Sequence, residues 1–283
     1  YSTDGRCRAQ SSTETSRSHG VCTNTADDLS PSLATTGDSA HYSVNVVAAL
    51  RLFYWRFTSP PGRLVSAMSI SCHRFPDSRL LIFAKAPVIG QVKTRLIPAI
   101  GAAAACNFYR QCLYTTIARM THANIAPVTV YVTDMQHPAF RKLPEHVALR
   151  SQGGNNLGER MAQAIDASLG NHTQHVIVIG TDAPSLTPDD VAQGFCQLRS
   201  GADVVMTPAE DGGYVLIGMK QQQPALFQAV PWSTAQVASL TRQRCQAQNL
   251  LLHELPTRWD IDCAADLARF YQQAHTFDSY QFL

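Results

Sequence analysis

The chain has 283 residues, 45% of them apolar, with 23 basic against 21 acidic residues and a formal net charge of +2. That length and apolar fraction suit one ordinary domain with an appendage, and so balanced a charge argues against nucleic acid or an anionic membrane as the main partner. No uninterrupted apolar run approaches the length needed to span a bilayer. The eight cysteines show no Cys-x-x-Cys pair, and the ten histidines show neither metal-ligand spacing nor a nucleophile partner. Scattered thiols in a domain of this size point to a reducing, cytoplasmic setting.

Residues 1–75 differ from the rest of the chain. They are rich in Ser, Thr, Asp and Arg, hold no Lys and show little periodicity. Such a segment cannot bury enough apolar surface to offset its ordering entropy. The first residue is Tyr1 and the first methionine is Met68, so the expectation is upstream read-through or a poorly ordered extension, with a natural start near Met68. A transit peptide is the rival reading, against which the acidic residues count.

The folded domain is expected over 76–283. A buried strand falls at 79–83 and an Ala-rich helix without Pro or Gly at 102–120. Strands come next at 128–132 and 147–150, then a helix at 157–169 and a strongly apolar strand at 175–179. Thr187-Pro188-Asp189-Asp190 opens a helix, with Thr187 as cap and Pro188 in the first position. Strands at 204–207 and 214–217 flank the turn Asp211-Gly212-Gly213. A helix at 234–248, a strand at 250–255 and a helix at 264–271 complete the chain. This alternation predicts an α/β sandwich around a mostly parallel sheet, and ligands of such sheets bind at the carboxyl ends of strands.

Five constellations carry candidate chemistry. The first strand ends in Lys85-Ala86-Pro87-Val88-Ile89-Gly90-Gln91-Val92-Lys93-Thr94-Arg95. It is neither a Walker loop nor a dinucleotide fingerprint. Lys93 and Arg95 are nonetheless placed to clamp a pyrophosphate, with Lys85 at the strand end beside them; a solvated basic turn is the alternative. The apolar strand at 175–179 delivers Asp182, within Gly180-Thr181-Asp182-Ala183-Pro184-Ser185, to a position suited to holding Mg²⁺ or Mn²⁺ against phosphates. In Glu210-Asp211-Gly212-Gly213-Tyr214 the two glycines either form an ordinary turn or let a substrate approach the backbone, and Asp211 is a candidate general base. In Trp259-Asp260-Ile261-Asp262 an extended backbone puts both carboxylates on one face, which is costly unless a cation or donor sits between them; Asp262 is also a candidate helix cap. Last, the polar loop Gln152-Gly153-Gly154-Asn155-Asn156 leads into Leu157-Gly158-Glu159-Arg160-Met161. There Asn156 reads as a cap, and Glu159 and Arg160 as surface residues or ligand contacts. Pro231-Trp232-Ser233-Thr234 adds an aromatic ring that either stacks on an acceptor or packs, with Thr234 as a helix cap.

Taken in order, these motifs resemble the bacterial glycosyltransferase-A-like family known as DUF2064, over about residues 79–271. The resemblance implies a Rossmann-like three-layer sandwich of the nucleotide-diphospho-sugar transferase type with a mixed, mostly parallel sheet. It implies a nucleotide-sugar donor and a divalent metal, Mg or Mn. By position it implies donor binding around Lys85, Gly90, Lys93, Arg95, Glu159, Arg160, Gly212 and Gly213. Asp182 is the implied metal ligand, with Asp260 or Asp262 beside it, and Asp211 faces the acceptor. Two positions depart from the family pattern: Ala183 stands for the usual Cys and Cys263 for the usual Thr, and neither removes a charged group.

The leading expectation is therefore a metal-dependent glycosyltransferase. The alternatives are a nucleotidyltransferase on the same fold, like the guanylyltransferase that activates phospholactate, and a non-catalytic nucleotide-binding protein.

Overall fold

The computed structural model describes residues 73–279 apart from residue 171, with backbone only for 274–279. The expectations for residues 1–67 and for a start near Met68 lie outside the described residues. The sheet has seven strands: β1 (Ser78–Ala84), β2 (Val128–Val132), β3 (Ala148–Ser151), β4 (His175–Ile179), β5 (Val204–Pro208), β6 (Tyr214–Met219) and β7 (Leu252–Glu254). Their spatial order is β3-β2-β1-β4-β6-β5-β7. Every neighbouring pair is parallel except β4 with β6 and β6 with β5, so β6 alone runs against the rest. The expected mixed, mostly parallel sheet is borne out.

The helices are α1 (Ile97–Ile100), α2 (Ala102–His122), α3 (Leu157–Ser168), α4 (Pro188–Arg199), α5 (Val237–Ala247) and α6 (Ala264–Ser279). They cover both faces of the sheet, which is why the central strands read as near-continuous apolar runs. All five residues of β4 are buried, as are five of the seven in β1. Alternate residues serve opposite layers. Leu80, Ile82 and Ile177 pack with Leu113 and Ile117 of α2 and Phe195 of α4. Leu81, Val176 and Val178 pack with Met161 and Ile165 of α3 and Cys245 of α5. A smaller cluster joins Leu96, Phe108, Trp259, Ile261 and Leu267, and so holds α6 against α2. The core also takes in Phe75, which is 3% exposed and stacks on Phe195. No helix among the described residues is long and apolar enough to cross a membrane.

Two local expectations differ from the elements that form. Helix α5 starts at Val237 rather than near 234, and Thr234 does not cap it. The Thr234 hydroxyl donates to the Pro231 carbonyl at 2.7 Å and so holds the preceding turn. The Gly212 carbonyl meanwhile takes the Ala238 N–H in the first turn of the helix. At α6, Asp262 is not the cap either. The Asp266 carboxylate accepts from the backbone of Asp262 and Cys263, at 3.0 and 2.7 Å, which leaves the Asp262 side chain available to neighbouring cations.

One buried ion pair fixes the segment that carries the late carboxylates. Thr187 and Asp190 form a capping box at the start of α4. The same Asp190 carboxylate, 4% exposed, receives two bonds from Arg258, at 2.6 and 2.9 Å. Burial alone pushes the Asp190 carboxyl up, but the bonds from Arg258 and Thr187 outweigh it and hold the group below the usual carboxylate range. A carboxyl depressed in the folded state stabilises above its unfolded pKa of about 3.9, and that contribution is lost as pH falls through the folded value. Replacing Asp190 with Asn should cost about 2–3 kcal/mol at pH 7, less than the loss from a fully buried pair because Arg258 keeps some solvent. Urea midpoints should show it, and the gap between the two proteins should close below about pH 4.

Candidate active site

The order of the strands reverses between β1 and β4. The chain leaves β1 for β2 and β3 on one side, then returns to β4 on the other, so the loops after β1 and β4 part and leave a crevice. A cavity of about 710 Å³ opens there, between the β1 loop, the β4 loop, the start of α3 and the segments around 211–214, 232–234 and 260–262.

The acidic side is assembled by backbone stitching. The Ile261 N–H donates to the Asp182 carbonyl at 3.0 Å. The Ser185 hydroxyl donates to the Trp259 carbonyl and accepts from the Trp259 N–H, at 2.5 and 2.9 Å. The extended segment 259–262 thus lies along 182–185, and its alternation turns Asp260 and Asp262 toward Asp182. One carboxylate oxygen from each of the three lies within 4.8 Å of the others. Hard oxygen donors at this spacing fit Mg²⁺ or Mn²⁺.

The cation inside this cluster belongs to the protein. Lys93 turns inward from a backbone in the left-handed region, φ +46°, and its side chain is only 6% exposed. Its ammonium donates to Asp182 Oδ2 at 2.9 Å, to Asp262 Oδ1 at 3.0 Å and to the Ile261 carbonyl. An ammonium has three protons, so none is left for a phosphate in this state. Burial works against the charge, but the two carboxylates outweigh it and hold Lys93 above its ordinary pKa. By the same balance Asp182, which burial would push up, is held below the usual carboxylate range by Lys93. Asp260 differs: its carboxylate takes no hydrogen bond from any described residue. Burial, then Asp182, Asp262 and Asp211, push it up to about 7.

The other predicted residues divide. Arg95 is 64% exposed and commits one nitrogen to Asp262 Oδ2 at 3.1 Å, so most of its donors face the cavity. Lys85 is exposed at the end of β1 and lines the cavity, as do Arg160, Asp211 and Gly213. The Asp211 carboxylate is oriented by the Gly213 N–H at 2.9 Å. Trp232 both lines the cavity and packs, edge-on to Tyr214 with ring centroids 6.4 Å apart.

Three residues expected at the donor are not brought to the cavity wall. The Glu159 carboxylate folds back onto the Asn155 N–H and the side-chain amides of Asn155 and Asn156, at 2.7–3.2 Å, because at the third position of α3 it reaches the donors that precede the helix. Gly90 lies in the exposed turn with φ +81°. Gly212, φ +88°, accommodates the protein's own backbone rather than a ligand: a Cβ there would sit 2.7 Å from the Ala235 Cα.

Two residues that line the cavity escape sequence reasoning. Tyr109 of α2 accepts from the Lys85 N–H at 2.7 Å and donates to the Lys85 carbonyl at 3.2 Å, which pins the start of the basic loop. Burial pushes its hydroxyl up to about 12. Gln152 donates through its amide to the carbonyls of Ala84 and Tyr131, at 3.1 and 2.9 Å, and so ties the ends of β1 and β2. Tyr109 lies in an Ala-rich helix with no motif around it. Gln152 opens the Gly-rich loop, where its polarity was the one available signal.

Known proteins share this architecture. Residues 116–234 match the DUF2064 family model, described as an uncharacterized protein conserved in bacteria. The DUF2064 resemblance read from the motifs is borne out. A solved structure from Desulfovibrio desulfuricans G20, provisionally described as a nucleotide-diphospho-sugar transferase, is 28% identical; the match covers 66% of this chain and 83% of that one with a TM-score of 0.62. A CMP:2-keto-3-deoxy-manno-octonic acid synthetase complexed with CTP is 12% identical, over 70% of this chain and 99% of that one, with a TM-score of 0.48. The 4-diphosphocytidyl-2C-methyl-D-erythritol synthase of Anaerococcus prevotii DSM 20548 is also 12% identical, over 70% and 96%, with a TM-score of 0.46. These last two likenesses are too remote to bear on the site. No curated protein matches the chain.

The close approach at Gly212 gives a direct check on how this wall of the cavity is built. Gly212→Ala should destabilise the protein by about 2–4 kcal/mol, from the left-handed backbone and the collision with Ala235 together. A chemical denaturation midpoint within error of wild type would show that the 211–213 turn and the 235 segment are not locked as described.

Proposed function

We propose that the protein is a divalent-metal-dependent glycosyltransferase that takes its sugar from a nucleotide-diphospho-sugar. The observation that carries this reading is the meeting of three carboxylates and a basic loop in one cavity, at the strand-order reversal of the sheet. The fold and the description given to the 28% identical Desulfovibrio structure support it.

On this reading Asp182, Asp260 and Asp262 would hold Mg²⁺ or Mn²⁺. Such an ion, when bound, supplies positive charge against the diphosphate of the donor and lowers the barrier to its departure. Arg95 faces the same phosphates with its uncommitted nitrogens and is suited to a bidentate contact. Lys85 adds a second exposed charge at the strand end. Asp211, exposed at the cavity edge, is the acceptor's general base and takes the hydroxyl proton as the new bond forms. Arg160 borders the cavity from α3, with its Nε held by the Gly154 carbonyl at 3.2 Å, and would contact the donor from that side.

A panel of nucleotide-sugars incubated with Mn²⁺ tests the reading. Release of a nucleoside diphosphate is expected, and a chelator should abolish it. Asp182→Asn should lower turnover on the order of a hundredfold or more, since it weakens both the ion's ligation and its charge balance. Pyrophosphate released from nucleoside triphosphates, with no cleavage of nucleotide-sugars, would instead identify a nucleotidyltransferase. Nucleotide binding without turnover, unchanged in Asp182→Asn, would identify a binding protein.

A further inference from the structure

Lys93 is the one charged residue of the site whose placement the proposed chemistry leaves unused. It stands at the strand-end loop where a phosphate contact was expected, yet it is buried among carboxylates with all three protons committed. Holding it there requires a left-handed backbone, φ +46°, which a lysine rarely adopts. The position is therefore built, not the resting place of a loose side chain.

Its partners are the same groups that would ligate a metal. Lys93 takes Asp182 Oδ2 and Asp262 Oδ1, and Arg95 takes Asp262 Oδ2, so both oxygens of Asp262 are engaged. An ion ligated by these carboxylates competes with the ammonium for the same groups, and two cations crowded onto them repel. The ammonium also does the work incompletely. It pairs with two of the three clustered carboxylates and leaves Asp260 with no donor. A divalent ion of the size that three such oxygens accept would serve all three.

We infer that Lys93 is an internal counter-cation that a divalent ion displaces from the Asp182–Asp262 pair, freeing the lysine's three donors to turn to the phosphates of the donor. This rests on the metal-dependent reading of the site. Metal entry and phosphate binding are then coupled through one side chain, and each favours the other. Lys93 acts before the reaction as a placeholder that keeps the acidic pocket assembled, and after the exchange as a phosphate ligand.

Titration with Mn²⁺ alone, with free ion followed by its paramagnetic resonance signal, separates the outcomes. Lys93→Met keeps the length of the stem and removes the competitor, so it should bind Mn²⁺ at least tenfold more tightly than wild type. Equal or weaker binding overturns the exchange and leaves metal dependence standing. No Mn²⁺ binding by either protein overturns the metal reading and the exchange together. Because the variant leaves two inward-facing carboxylates without their cation, it is open to misfolding, and a second measurement uses the wild-type chain. Amine acylation mapped by mass spectrometry should leave Lys93 unmodified without metal and modify it at saturating Mn²⁺, with exposed Lys85 as the internal standard. A Lys93 that stays protected while Mn²⁺ is bound overturns the inference.

Discussion

Three stretches of chain meet at the ammonium of Lys93: the loop after β1, the loop after β4 and the extended segment before α6. Its partners lie 89 and 169 residues away in sequence, at Asp182 and Asp262. The backbone bonds between 182–185 and 259–262 bring carboxylates together whose mutual repulsion opposes the stitching. A cation between them is what lets the arrangement persist. Buried ion pairs are a weak source of stability, since desolvation cancels much of the attraction. An apolar set of similar volume would hold three segments as well, so the charged choice is explained by what the pocket handles.

The sheet decides where this meeting happens, and glycines decide how near the opposite wall comes. Reversal of strand order at β1 and β4 opens the crevice, and Tyr109 and Gln152 tie off the strand ends beneath it. Across from the carboxylates, Gly158 in the first turn of α3 lies so close to Trp232 that a Cβ would fall 2.8 Å from the ring. Gly212 admits the Ala235 backbone in the same way. These two contacts set Trp232 and Asp211 at the cavity edge. Glu210 secures the outer side through a double bond-pair to Arg269, whose guanidinium lies 4.5 Å over the Trp259 ring. The 210–213 turn and the 259–262 segment are thereby tied to the same helix, α6.

Periodicity made parts of this structure legible in the sequence, and its absence hid others. Strands β2 and β4 were legible to the residue because both are short apolar runs bounded by polar turns. The convergence of Asp260 and Asp262 was legible because an extended backbone repeats every two residues. The need for a cation beside them was legible too, though not that Lys93 would pair Asp262 with Asp182 and leave Asp260 without a donor. Its direction depends on one left-handed residue in an aperiodic loop, and nothing in Lys93-Thr94-Arg95 distinguishes a lysine turned inward from one turned to solvent. The direction of the Glu159 carboxylate was hidden for a related reason. At the third position of a helix a carboxylate has backbone and side-chain donors within reach before any ligand arrives. The glycines of 211–213 read either as an ordinary turn or as room for a substrate, and the room at Gly212 is taken by residue 235, a contact that leaves no trace in the local sequence.

The charges of the pocket carry one more step. Asp182, Asp260, Asp262 and Asp211 line or border the cavity, against Lys85, Lys93, Arg95 and Arg160. With Lys93 committed to two of those carboxylates, a diphosphate approaching the crevice meets two partly engaged guanidiniums, one exposed ammonium and four carboxylates. Oxyanions are held by converging donors and cations, and here the donors nearest the carboxylates are spent internally. On the proposed reading, a divalent ion reverses this balance twice: it adds its own charge to the carboxylate cluster and it returns Lys93 to the donor side. On that reading the pocket receives nucleotide and ion together better than the nucleotide alone. That makes the order of assembly a property of the side-chain arrangement and not of a separate regulatory element.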